Sequence, residues 1–348
     1  MNELVSVCIP VYNTENYLCD CIESLTKQSY SNIELLFNDN GSTDNSLAIL
    51  QKYAHLDNRI KIYSTTNSGP AGARNILINN SKGRYILFVD SDDVVANDYV
   101  LDFINSIKSN AISICGMSID YINDSNSVET NFGDICNGTL SDKVFYLDKL
   151  GLLYSPCNKL YDRLIIDQYN IMFNESLCNC EDLDFNVKYL KYINDIVIVP
   201  KSNYYYRKYD KISDVNSFRK NIKEVVLNGI KLKNELYNYF CLEEKENQLV
   251  LLSSNVDVLN YGLINTITYF RYREQKEVLD IISFIFEEAN NLEYVDCFVP
   301  KNLFQKIFMF CYKTKSKYLT FIIYKLLLFI RHRFKKIYGF IRKYCLNN

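Results

Sequence analysis

Short apolar runs, polar turn-rich stretches and segments of helical spacing alternate along the first hundred residues. Val5–Val11 predicts a buried strand, and Leu18, Ile22 and Leu25 then recur at helical spacing. Ile33–Phe37 predicts a second strand. The dense turn of residues 38–44 follows, in which Thr43 or Asp44 can cap a helix running through Tyr53. Ile60–Tyr63 predicts a third strand, residues 67–75 lead into a third helix ending near Asn80, and Arg84–Asp90 predicts a fourth strand. Apolar runs without alternation suit strands covered on both faces. Strands and helices alternating at this spacing imply right-handed crossovers and an α/β, doubly wound, mostly parallel sheet. Ligands of such sheets sit outside the carboxyl ends of the strands, where polar loops follow strands one, two and four.

The fourth strand stops on Asp90, Ser91, Asp92 and Asp93. In extended chain, Asp90 and Asp92 point the same way and could share one divalent cation, a group suited to a diphosphate. A polar turn that caps the next helix is the other reading. Farther on, Ile112–Ile122 predicts a strand, and the polar residues 123–137 predict a mobile loop over the site. Glu181 and Asp182 open a helix spanning Leu183–Tyr192. Acids in a first helical turn are favoured by the helix dipole alone, so this pair has a purely structural reading too. From about Asn216 the spacing is helical, as in Val225, Val226, Ile230 and Leu232.

Composition changes the picture in three respects. The chain has 348 residues with 29 Tyr and 20 Phe, ample for a large core, and no Trp. Its formal net charge of -2 conceals an asymmetry. Twelve of the 39 Lys and Arg, and none of the 41 Asp and Glu, lie beyond residue 300, so residues 1–300 carry -14. In the tail, Tyr318–Ile330 is a largely apolar run broken by Lys325 and followed by basic clusters. That run is too short to span a bilayer comfortably. A basic, aromatic, amphipathic helix of this kind suits the surface of an anionic membrane, and packing on the body is the alternative. No motif supports nucleic acid as the partner of the tail. The 12 Cys are scattered and no secretory signal precedes the first strand, which implies a reducing cytoplasm and free thiols. Cys19-x-Cys21 and Cys178-x-Cys180 lack the spacer of zinc knuckles. With only His55 and His332, any metal should be a hard cation held by oxygen.

Four motifs in order carry a resemblance to family 2 glycosyltransferases. They are Val7-Cys8-Ile9-Pro10-Val11-Tyr12-Asn13, Asp39-Asn40-Gly41-Ser42-Thr43-Asp44, Asn67-Ser68-Gly69 with Ala73-Arg74-Asn75, and Asp90-Ser91-Asp92-Asp93. The last resembles the family's DxD element. Residues 5–100 carry the strong part of the resemblance, and Cys157–Tyr161, Glu181-Asp182 and Tyr204–Arg207 extend it loosely to about residue 215. One departure is Asn40, where relatives often carry a second acid.

The resemblance implies a GT-A fold and inverting transfer from a UDP-sugar. It assigns Asp39 and Arg74 to the uracil edge and Pro10 and Tyr12 to the walls of the base. Asp90 falls near the ribose and metal, and Asp92 serves as ligand to Mg²⁺ or Mn²⁺. Asp182 is the candidate general base, with Glu181 as its neighbour or backup. Asp39 as a helix cap, Arg74 as a solvated helix residue and Lys159 as a structural ion partner remain alternatives. The implied organisation is a catalytic domain over 1–215, divided into a nucleotide-sugar half (1–100) and an acceptor half (101–215). A helical appendage over 216–300 and a basic amphipathic tail over 301–348 complete it. The expected role is transfer to a lipid-linked glycan acceptor at the cytoplasmic face of a bacterial inner membrane, in capsule, exopolysaccharide or lipooligosaccharide assembly. A membrane-bound nucleotide-sugar sensor or scaffold and a sugar nucleotidyltransferase are the alternatives. The nucleotidyltransferase is disfavoured because Val7–Asn13 has no glycine-rich basic loop.

Overall fold

The computed structural model describes residues 3–121, 127–130, 132, 138–177, 179–208, 221–240, 245–268, 274–293 and 295–333. The chain divides into two compact units, Met1–Leu177 with Glu181–Lys211, and Cys178–Cys180 with Ile212–Asn348.

The first unit is built on one sheet of nine strands. In chain order they are β1 (Val5–Val11), β2 (Ile33–Asp39), β3 (Ile60–Ser64), β4 (Tyr85–Phe88), β5 (Val94–Val95), β6 (Ala111–Tyr121), β7 (Ser127–Glu129), β8 (Lys159–Asp162) and β9 (Asp195–Lys208). Their order in space is β3-β2-β1-β4-β8-β6-β9-β5, with β7 paired to β6. The first four strands are parallel, as the alternation of elements predicts. Beyond them β8 runs antiparallel to both β4 and β6, while β6 and β9 are parallel with an irregularity between Cys115 and Met117.

Burial explains why these runs became strands. Val5, Val7, Ile9 and Val11 of β1 and Leu35, Leu36 and Phe37 of β2 are fully buried, so both sheet faces are covered. Each such side chain contributes about 1.5–3 kcal/mol. The connecting helices are α1 (Leu18–Thr26), α2 (Ser46–Ala54), α3 (Gly69–Asn80) and α4 (Tyr99–Asn105). The second half of the unit adds α5 (Leu140–Lys149), α6 (Arg163–Tyr169) and α7 (Glu181–Leu190). Two buried polar groups, Ser6 and Glu34, face each other across β1 and β2. Glu34 accepts from Ser6 at 2.5 Å and pairs with Lys61 at 2.6 Å, so neither is left unsatisfied.

Several boundaries differ from the sequence reading, most by a residue or two. The fourth strand ends at Phe88 rather than Asp90, because the chain turns immediately afterwards. The second helix begins at Ser46, and Asp44 accepts the N–H of Ser46 at 2.9 Å. The seventh helix spans Glu181–Leu190, so both acids lie within its first turn. Of the expected loop over 123–137, residues 127–129 form a strand on β6. Residues 123–126, 131 and 133–137 lie outside the described residues, as does the helix start expected near Asn216.

The second unit is helical: α8 (Ile222–Tyr239), α9 (Lys245–Thr268), α10 (Gln275–Asn290), α11 (Leu303–Thr314) and α12 (Lys317–Arg333). Its core gathers Val226, Leu259, Ile282, Ile285, Phe308 and Tyr324 among others. Helix α12 faces that core with Phe321 and Tyr324. Its opposite side exposes Tyr318, Leu319, Ile322, Leu326 and Phe329. Among the described residues no helix is long and apolar enough to cross a membrane. The basic clusters beyond Arg333 lie outside the described residues.

Candidate active site

The loops that follow β1, β2, β3 and β4 meet at the carboxyl edge of the sheet and are laced together by side chains. Asn40 N–H donates to the Val11 carbonyl (2.8 Å), and Thr65 N–H donates to that of Asp39 (3.0 Å). Asn13, in a left-handed conformation, accepts from Thr43 N–H at 2.8 Å, while its own N–H donates to Ser42 at 3.1 Å. Thr14 reaches Ser91 at 3.1 Å, which joins the first loop to the fourth. Pro10 pairs with Asn38 across β1 and β2, and Tyr12 stands exposed just beyond.

Asp39 ends β2 almost fully buried, and its Oδ1 has no hydrogen-bond partner. A buried carboxylate oxygen in that state costs energy unless a ligand donor meets it. Asn40, the departure from a pair of acids, has a structural use. Its Oδ1 accepts Ser68 N–H at 2.9 Å and its Nδ2 donates to the Gly69 carbonyl at 3.0 Å. A carboxylate could not make the second bond. Gly41 sits at a φ of 77°, where a side chain would be strained.

The Asp90–Asp93 segment is a turn, closed by Asp93 N–H donating to the Asp90 carbonyl at 3.1 Å. The extended geometry expected for Asp90 and Asp92 is therefore replaced by a bend, because Asp93 is drawn inward to the β9 strand. Its carboxyl accepts the buried Tyr204 hydroxyl at 2.6 Å and Arg207 N–H at 2.8 Å. The same Tyr204 oxygen accepts Asp90 N–H at 3.1 Å. Burial, reinforced by the charges of Asp90 and Asp92, pushes the Asp93 carboxyl well above its ordinary range. Three carboxyl groups thus crowd this one turn. Among the described residues no group of three or more His, Cys, Asp or Glu could hold a metal unaided. A hard cation here would draw on Asp90 and Asp92 and take its remaining oxygens from phosphate and water, as Mg²⁺ commonly does.

Arg74, on α3, joins the turn to the opposite side of the site. Its guanidinium is buried and donates to Asp90 Oδ1 and to Asp182 Oδ1, each at 2.9 Å. It also lies 5.4 Å from the centroid of the Phe173 ring. Burial opposes its charge, but Asp182 and Asp90 outweigh that cost and hold it firmly protonated. Asp182 lies in the first turn of α7 with 23 % of its side chain exposed. The surrounding protein raises its carboxyl to about 7. Arg74 opposes this rise, and Glu181 and Asp90 add to it. A partly exposed carboxyl raised toward neutrality is the kind of group that general-base chemistry requires.

The structure brings Arg74, Asp90 and Asp182 into one hydrogen-bonded cluster. It places Asp39 with Pro10 and Tyr12 at the β1–β2 edge, and Glu181 next to Asp182. Arg74 makes its two ion pairs with Asp90 and Asp182 and none with Asp39, so the solvated-helix alternative does not describe it. Lys159 is fully buried and bonded to the carbonyls of Leu152 and Ser155 and to Asn158 Oδ1, a structural role. Burial lowers it to about 7. Sequence reasoning passed over Tyr204, visible only as part of a Tyr-rich strand, and Asn75, quoted in its motif without a task. Asn75 exchanges hydrogen bonds with the backbone of Phe173 at 2.9 Å and donates to Glu175 at 2.8 Å. These bonds tie the loop ahead of α7 to α3.

The chain is similar to known glycosyltransferases. Residues 6–169 match the family model described as Glycosyl transferase family 2. An uncharacterized glycosyltransferase of Haemophilus influenzae is 47 % identical over 108 residues, 31 % of this chain and 43 % of that protein. The poly(ribitol-phosphate) beta-N-acetylglucosaminyltransferase TarS of Staphylococcus aureus is 28 % identical over 204 residues, 58 % of this chain and 35 % of its own length. The chain thus spans less than half the length of either relative. The crystal structure of S. aureus TarS 1-349 in complex with UDP-GlcNAc superposes with a TM-score of 0.65 at 22 % identity, covering 94 % of this chain and 91 % of that one. Residues 6–169 thus match glycosyltransferase family 2, and the chain carries the GT-A fold.

Proposed function

We propose that this protein transfers one sugar from a UDP-sugar to a hydroxyl of a glycan acceptor, with inversion, in cell-surface polysaccharide assembly. The observation that carries the proposal is the Arg74 bridge, which holds Asp182 at 2.9 Å on one side and Asp90 at 2.9 Å on the other. A single residue thereby sets the distance between a base of raised pKa and the acidic turn at the sheet edge. Asp39, with its unmatched buried oxygen, is suited to accept the N–H of uracil, with Pro10 and Tyr12 beside the ring. Asp182 takes the proton as the acceptor oxygen bonds to the anomeric carbon, and the bond to the diphosphate breaks on the opposite face, releasing UDP. Glu181 keeps the Asp182 carboxyl basic through like-charge repulsion. Asp90 and Asp92 would hold Mg²⁺ or Mn²⁺, whose positive charge stabilises a leaving diphosphate. TarS, by its name, glycosylates poly(ribitol phosphate), which supports an acceptor of the same broad kind, a surface glycan or polyol phosphate.

On this reading residues 1–215 form the catalytic domain, 216–300 a helical appendage and 301–348 a membrane-facing tail. The exposed apolar stripe of α12, with lysines at 317 and 325 on the same helix, supports docking on the cytoplasmic face of an anionic membrane to meet a lipid-linked acceptor.

The test is UDP release from a panel of UDP-sugars, with Mn²⁺ or EDTA, in the presence of lipid-linked acceptor extract. Release that requires one donor, metal and acceptor is expected. Failure of the protein to bind UDP would overturn the donor assignment. UDP binding without release for any donor would favour the sensor reading.

A further inference from the structure

A surface cavity of about 690 Å³ lies in the first unit, outside the cluster formed by Asp39, Arg74, Asp90 and Asp182. Its size falls in the usual range for ligand sites. Two helix ends build it. Helix α6 stops at Tyr169, and Asn170 takes a left-handed conformation that turns the chain away. Helix α7 stops at Leu190, two residues before Tyr192. The Tyr169 and Tyr192 rings stack face to face, with centroids 3.6 Å apart and planes 8° from parallel. Both stay exposed, at 42 % and 39 %.

Polar groups of the right kind surround this aromatic pair. Asn170 and Asn174 contribute amides, and Lys188, Lys191 and Glu175 contribute charged groups. Lys188 is fixed by Asp184 at 2.6 Å. Exposed aromatic faces take the C–H faces of sugars or polyols, amides bridge hydroxyls, and lysines take phosphate or carboxylate. The cavity also adjoins the active cluster. Phe173 lines it and packs against Arg74, while Asn75, which follows Arg74, lines it too. Lys188 lies six residues beyond Asp182 on α7, about 9 Å along the helix.

We infer that this cavity is an acceptor subsite, binding an anionic saccharide or polyol unit of the chain that presents its hydroxyl to Asp182. The inference rests on the glycosyl-transfer reading, and its test separates the two. The full-length protein is titrated by calorimetry with soluble poly(ribitol phosphate), with neutral dextran and, separately, with UDP. Wild type should bind the anionic polymer more tightly than dextran. Tyr192→Ala and Lys191→Glu should each weaken that binding about ten-fold, the loss expected for one aromatic or charged contact. Tyr192→Phe, which keeps the stack, should retain it, and all three variants should bind UDP like wild type. A merely structural tyrosine staple would lower thermal stability in Tyr192→Ala but leave polymer affinity intact in Lys191→Glu, and that result overturns the inference. So does wild type that binds UDP but not the polymer. Loss of UDP binding in wild type would instead strike the donor reading.

Discussion

Asp182→Asn should stabilise the protein at alkaline pH while destroying its activity. The carboxyl is raised from its ordinary 3.8 to about 7, with burial as the leading cause. At 1.36 kcal/mol for each tenfold change in proton affinity, an ionised Asp182 costs the folded state about 4 kcal/mol. Below pH 3.8 both folded and unfolded chains are protonated and nothing is lost. As pH rises from there to about 7 the unfolded chain ionises first, so stability falls, levelling off above about 7. Asparagine keeps a carbonyl oxygen for Arg74 and never ionises. The variant should therefore match wild type near pH 4 and exceed it by up to about 4 kcal/mol at pH 8. Urea denaturation of both proteins across pH 4–8 measures the gap. In parallel, wild-type kcat/KM should fall as pH drops below about 7, and the variant should lose about 10²–10⁴-fold at its optimum together with that acidic limb. A gap that stays constant with pH, or an acidic limb that survives in the variant, would refute the assignment of the raised carboxyl to Asp182.

Asp39→Asn replaces a charged acceptor whose buried oxygen awaits a donor, so UDP affinity measured by calorimetry should drop about 10–100-fold with little change in melting temperature. Tyr204→Phe strips Asp93 and the Asp90 N–H of their shared partner and should cost about 1–3 kcal/mol of stability, read by denaturation, with a higher donor KM. An unchanged denaturation midpoint would show that the turn holds itself. Ile322→Glu with Leu326→Glu should abolish co-sedimentation with phosphatidylglycerol vesicles while UDP binding persists, since each apolar contact is worth about 1.5–3 kcal/mol. Equal sedimentation of wild type and variant would remove the membrane role of α12.

The sequence by itself determined the framework. The runs at Val5–Val11 and Ile33–Phe37 are largely apolar without regular alternation, a pattern suited to a sheet covered by helices on both sides, so the parallel half was legible from local pattern. The acidic, glycine- and asparagine-bearing loops after those strands were legible as well, because the sheet architecture dictates where they must lie. Side-chain partnership was not legible, since it depends on pairs distant along the chain. Arg74 and Asp182 are 108 residues apart and meet only because α3 and the start of α7 converge on the same edge. Tyr204 reaches Asp93 across 111 residues because β9 returns beside β5 at the rim of the sheet. The bend at Asp90–Asp93 follows from that contact, which is why reading the segment as extended chain failed. The raised pKa of Asp182 is likewise a tertiary property: burial, with Glu181 and Asp90 nearby, raises it to about 7 against the pull of Arg74.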